Sequence, residues 1–167
     1  MPFVQRDETS GQIIGQYATE QPDFAKEWLS EDHADLKAIA IGEAVLGVKI
    51  AIEEEYARRL AMGFEYQPGS ARCVQIRPQD QQNLTAMALQ ALMAKSGVLT
   101  WDPHFSWRLA DNTDLAVPTA DAMILLAKAS SDRVVRLRLA ARQHKDAVAA
   151  QSTISGVLAY DFTAGWP

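Results

Sequence analysis

Two stretches of helical periodicity, with short alternating segments before and between them, limit what this chain can fold into. From 43 to 62 the apolar residues Val45, Val48, Ile52, Tyr56 and Leu60 recur at three- and four-residue steps and share one helix face. Glu54 with Arg58, and Glu55 with Arg59, sit four apart on the opposite side in the order that supports a helix. Gly63 then supplies a C-cap. A longer helix is predicted from a Thr119 cap to about Ala150, with Ile124, Leu125, Ala129, Val134, Val135, Leu137, Leu139 and Val148 as apolar positions. A shorter one opens at Pro78, where a missing N–H costs nothing. Its buried stripe is Leu84, Met87, Ala88, Ala91 and Leu92, and Gly97 ends it.

The alternating segments read as three β-hairpins. The first joins Phe3-Val4 to Ile13-Ile14 through Glu8-Thr9-Ser10-Gly11. The second joins Phe64-Glu65-Tyr66 to Cys73-Val74-Gln75-Ile76 through Gln67-Pro68-Gly69-Ser70. The third joins Phe105–Leu109 to Leu115–Val117 through Asp111-Asn112. The order hairpin, helix, hairpin, helix, hairpin, long helix predicts an α+β fold with antiparallel strand pairs. Three parts are expected. Residues 1–40 form an N-terminal hairpin and connector that serve as a docking segment, with Trp28 as an apolar anchor; 41–150 form the α+β domain; and 151–167 form an extended aromatic C-terminal arm.

With 48% hydrophobic and 22% charged residues, the chain has the balance of a packed protein and not of a disordered one. Its net charge of -5 opposes a duplex nucleic-acid partner. The most apolar stretch, Ala38 to Ile52, is interrupted by Glu43 and Lys49, so no membrane insertion is expected. The first residues lack the basic and then apolar order of a signal peptide. The single cysteine, Cys73, forms no intrachain disulfide and suits a reducing cytoplasm. These features predict a soluble protein made in the cytosol.

No catalytic, metal or cofactor set assembles from the residue types present. His33, His104 and His144 share no metal-ligand spacing. Asp32-His33-Ala34-Asp35 reads as helix-start chemistry, and Asp111, Thr113 and Asp114 lack the glycine and distal glutamate of a calcium loop. Glu53, Glu54 and Glu55 point about 100° apart around a helix, so they do not converge on one substrate. Cys73, between strand residues, reads as an inert thiol. A small cell-surface hydrolase is the enzyme alternative, but no nucleophile or acid/base pair supports it. The chain is expected not to be an enzyme.

Partner binding has better candidates. Arg133, Arg136, Arg138, Arg142 and Lys145 form a basic run in an acidic protein, either a solvated face or an electrostatic contact with an acidic segment. A seven-residue seam passes through Ala127, Ser130, Val134, Leu137, Ala141, His144 and Val148. Packing against the helix around Ile52 is its first reading, and an oligomeric coiled coil its second. Tyr160, Phe162 and Trp166, with Phe3 at the other end, are the aromatic docking candidates.

The motifs Arg58–Tyr66, Gln75-Ile76, Gln82–Ala88, Phe105–Asn112, Val117–Asp121 and Ala141–Val148 resemble DUF4376, a domain of unknown function recurring in tailed-phage and prophage proteins near tail-fibre genes. The opening Met1–Asp7 with Gly11-Gln12-Ile13, and the closing Ala164-Gly165-Trp166-Pro167, also look like phage tail-region proteins. The resemblance implies a virion structural protein of the tail fibre or baseplate, assembled in the host bacterial cytoplasm. Its partners would be other tail proteins and copies of itself, with a trimer as the expected oligomer. The alternative it leaves is a tail-fibre assembly chaperone absent from the finished particle. It implies no catalytic residues and no cofactor.

Overall fold

In a computed structural model every residue except Pro68 and Ala71 is described, so one position of the predicted second turn lies outside the described residues. The elements run β1 (Phe3–Arg6), β2 (Ile13–Tyr17), β3 (Glu27–Trp28), α1 (Ala34–Met62), β4 (Phe64–Glu65), β5 (Cys73–Val74), α2 (Pro78–Lys95), β6 (Ser106–Arg108), β7 (Asp114–Ala116), α3 (Ala120–Ala149) and α4 (Ile154–Leu158). The architecture is α+β, built from small antiparallel sheets and long helices. Each predicted hairpin pairs as expected: β1 with β2, β4 with β5 and β6 with β7. A third strand, β3, pairs antiparallel to β1 on its other edge, giving the order β2-β1-β3.

Two departures from the sequence reading matter. First, α1 starts at Ala34, where residues 32–35 offer a helix start, and runs on unbroken through the separate start predicted at Glu43. His33 precedes it, with its ring nitrogen accepting from the Asp35 N–H at 3.3 Å. Gly42 and Gly47 break the apolar rhythm without breaking the helix, since a helical glycine costs only about 1 kcal/mol against alanine. Second, the C-terminal segment is not an extended arm. Thr153 caps α4 by accepting from the Gly156 N–H at 3.1 Å, and Val157 within this helix is fully buried.

Contacts divide the chain into two units, residues 1–49 with 148–160, and residues 50–147 with 161–167. In the first, Arg6 fixes the hairpin to the segments that follow. Its guanidinium donates to Glu27 at 2.5 Å and to the Gly11 carbonyl at 2.9 Å, and it pairs with Asp35 at 2.8 Å. Val4, Ala25 and Leu29 are its buried apolar residues near the sheet. The Asp7 carboxylate closes the hairpin turn by accepting from the Ser10 and Thr9 N–H groups, at 2.7 and 3.1 Å. Those bonds, the one from the Ser10 N–H first, hold its pKa below the usual range.

Among the described residues the second unit gathers two apolar clusters. One gathers Val74, Leu84, Ala91, Leu109, Leu115, Val117, Met123 and Leu126, from both hairpins of the unit and from α2 and α3. The other joins Leu60 of α1, Ile76, and Val134 and Leu137 of α3, with Tyr56, Phe64 and Trp166 packed around them. Thr119 caps α3 as predicted, accepting from the Ala122 N–H at 3.1 Å. Asp80 opens α2 by accepting the Arg77 N–H at 3.0 Å and its guanidinium at 2.8 Å. Gly63 turns the chain out of α1 at φ +74°, the left-handed region that favours glycine. The seven-residue seam on α3 is core: Ser130, Val134, Leu137, Ala141, His144 and Val148 are all buried and Ala127 half-buried. The oligomeric reading of that seam is therefore corrected, because its side chains are already covered within the chain.

Candidate docking surfaces

The C-terminal aromatics are placed differently from the sequence reading. Tyr160 and Phe162 are half-buried, not free. Trp166 is held on three sides inside the second unit. Its indole N–H donates to the Phe162 carbonyl at 2.7 Å, and the Arg59 guanidinium lies 5.0 Å above its ring. The His144 ring lies at 5.1 Å, tilted by 34°. Arg59 also donates to the Thr163 carbonyl at 3.0 Å, so the last turn of α1 grips the C-terminal segment at two points. Asp161 shapes the same segment by accepting from the Thr163 N–H and hydroxyl, at 2.8 and 2.6 Å. Trp166 is thus a latch for its own unit, and its three-sided enclosure leaves little ring for a partner.

Glu55 connects this latch to α1. It accepts from Arg58 and Arg59, each at 2.6 Å, and its side chain is 13% exposed. Glu55 keeps the Arg59 partner that the spacing gives it, while Arg58 turns to Glu55 instead of Glu54, and Glu53, Glu54 and Arg58 lie on an exposed face. The Arg58 guanidinium above all, aided by Arg59, lowers the Glu55 pKa from its usual 4.5 to about 2. A depressed carboxylate pKa contributes stability that is fully present above the unfolded value and fades as pH falls toward the folded one. Stability should therefore decline between about pH 4.5 and about pH 2. In Glu55→Gln that decline should be shallower, as followed by circular dichroism during acid titration. Superimposable acid curves would refute the assignment.

The basic run is split in its surroundings. Arg142 is exposed and pairs with Asp146 at 3.9 Å, while Lys145 pairs with Glu53 of α1. Arg138 is exposed at the rim of a groove of about 220 Å³ lined by Gln81, Leu84, Thr85, Ser131 and Val135 among others. Arg136 is exposed and Arg133 half-buried. Val135 in this groove is more than half exposed, as are Leu89 and Leu92 of α2 and Leu125 and Leu139 of α3.

The first unit carries an aromatic surface that the sequence reading found only in part. Phe3 lies directly opposite Tyr17 on β2 and Trp28 on β3. Residues paired across strands share a face, so Tyr17, Phe3 and Trp28 form a row across the sheet, on the face opposite the buried Val4. Phe24 extends the row edge-on to Tyr17, with ring centroids 5.4 Å apart. Phe3 and Tyr17 are half-buried, but Trp28 is 50% and Phe24 48% exposed. Exposed rings of this size, in line, are unusual on a surface with no partner. The missed signal was the period-two register through Glu27-Trp28, a strand too short to stand out.

The cleft of about 660 Å³ in the first unit is lined by Arg6, Asp7, Asp23 and Glu27. Asp7 is held by its turn and Glu27 by Arg6, which depresses the Glu27 pKa. The Asp111 carboxylate accepts from the Thr113 N–H and hydroxyl at 2.9 and 2.7 Å, the turn role expected for it. Cys73 is a half-buried thiol in β5. Among the described residues no group of three or more His, Cys, Asp or Glu could hold a metal ion, and no helix is long and apolar enough to cross a membrane.

A search of curated proteins and a search of solved structures each return no match. The family model for a domain of unknown function, DUF4376, matches residues 43–164. That span runs from within α1 through α4 and omits the aromatic row of the first unit. Because it covers well over half of the sequence, the chain belongs to the DUF4376 family.

Proposed function

We propose that this chain is a non-catalytic docking component of a bacteriophage tail, seated at the fibre or baseplate and acting through protein–protein contacts. The tail setting rests on the likeness of its motifs to phage tail-region sequences. The docking mode rests on one observation, the aromatic row of Tyr17, Phe3, Trp28 and Phe24. Aromatic side chains bury large areas for little loss of rotamer freedom, which is why they anchor interfaces. The row lies outside the stretch that matches the family, as expected of an adaptor whose family domain is joined to a segment suited to one partner.

The docking face therefore centres on the N-terminal sheet, which the sequence offered through Phe3 together with the C-terminal aromatics. Trp28→Ala combined with Phe24→Ala should leave thermal unfolding nearly unchanged, since both rings are about half exposed. The same pair should lower affinity for the tail partner by about 2–4 kcal/mol, read by calorimetry against purified fibre and baseplate proteins. Mass spectrometry of purified particles tests the setting. A tail component is present in stoichiometric amount. A chain that raises soluble fibre yield on co-expression but is missing from particles is an assembly chaperone instead.

A further inference from the structure

The three arginines Arg59, Arg133 and Arg136 converge in the second unit without enough negative charge to match them. Arg59 comes from the last turn of α1, and Arg133 and Arg136 are one turn apart on α3. Glu55, the carboxylate that pairs with Arg59, is already shared with Arg58. Among the described residues no carboxylate lies within ion-pair distance of Arg133 or Arg136, and the Arg133 Nε is buried with no hydrogen-bond partner. Arg136 has only a long contact, 3.4 Å, to the Asp132 carbonyl. Desolvation first, then the charges of Arg136 and Arg59, push the Arg133 guanidinium below its ordinary pKa. It nonetheless stays protonated, because an arginine titrates far above neutrality.

A buried donor on a permanent cation costs stability unless an acceptor reaches it. A planar guanidinium is matched best by the two oxygens of a carboxylate or phosphate. We propose that Arg59, Arg133 and Arg136 form a receptor for an acidic peptide segment of a protein partner, with Arg133 as its central anchor. One observation favours carboxylates on a peptide over nucleic acid. The Trp166 indole beside the cluster is already engaged by Arg59 and His144, which leaves a base little to stack on. The proposal stands apart from the tail setting and holds or fails whatever particle the chain belongs to.

The test is proton–nitrogen NMR of the arginine Nε–H groups in the full chain, titrated with a hexaglutamate peptide. The Arg133 and Arg136 signals should move in a saturable way while that of Arg142 stays in place. Arg133→Lys keeps the charge but removes the planar edge that matches the two oxygens of a carboxylate and should weaken binding by about fivefold. Arg136→Glu, at an exposed position that does not threaten folding, should weaken it by about tenfold or more. Arg142→Glu should stay within about twofold. An Arg133 signal unmoved by the peptide overturns the proposal. So does tighter binding of inorganic phosphate or of a single-stranded oligonucleotide of equal charge.

Discussion

Replacing Trp166 with alanine should lower the unfolding free energy by about 2–4 kcal/mol, somewhat under the usual cost of a fully buried tryptophan because the ring is half-buried. For a chain of this size that is a fall in Tm of roughly 5–15 °C, measurable by calorimetry. Several contacts are lost together. The ring leaves the cluster of Leu60, Ile76, Val134 and Leu137, and Arg59 loses its aromatic platform. The Phe162 carbonyl loses the indole N–H. Trp166→Phe separates these terms: it keeps most of the apolar contact and removes the hydrogen bond, so it should cost only about 1–2 kcal/mol. If the alanine variant unfolds like the parent chain, the C-terminal segment is not a latch, and the aromatics there return as docking candidates.

Gly63→Ala should be at least as damaging, at about 2–5 kcal/mol. The position holds φ +74°, which costs any residue with a Cβ roughly 1–2 kcal/mol. Space is the larger difficulty. A Cβ there would fall on the Val74 carbonyl oxygen, well inside van der Waals contact, and that oxygen belongs to backbone that cannot swing aside. Gly97, at φ +79° with nothing within 4 Å of its would-be Cβ, is the internal control. Gly97→Ala carries the dihedral cost alone and should lose only about 1–2 kcal/mol. Equal losses at the two sites in urea denaturation would mean that the close approach of β5 to the end of α1 is absorbed by backbone movement.

The helices and hairpins were legible because their signals are local. Val45, Val48, Ile52, Tyr56 and Leu60 share a face whatever they pack against, and all are buried or half-buried. Thr119 and Pro78 act on N–H groups within their own first turn, so their roles could be read without knowing the fold. What was hidden depends on distant partners. Trp166 in an aperiodic tail looks like any exposed aromatic until Arg59 and His144 meet its ring. Trp28 gains meaning only from its register with Phe3. Helix spacing offered Glu55 one partner, Arg59, but the geometry of the turn let Arg58 reach it as well. Arg133 differs from its neighbours only by burial, which no count of charges along α3 reveals.

Because residues 148–160 rejoin the first unit and 161–167 rejoin the second, neither unit is one uninterrupted stretch of gene. Recombination that exchanges a single block, such as everything before residue 50, would deliver a sheet and half of α1 without the segment around Val157 that completes their unit. Hybrids between relatives should therefore survive only when both ends come from the same parent, so that head and tail of the polypeptide are inherited together.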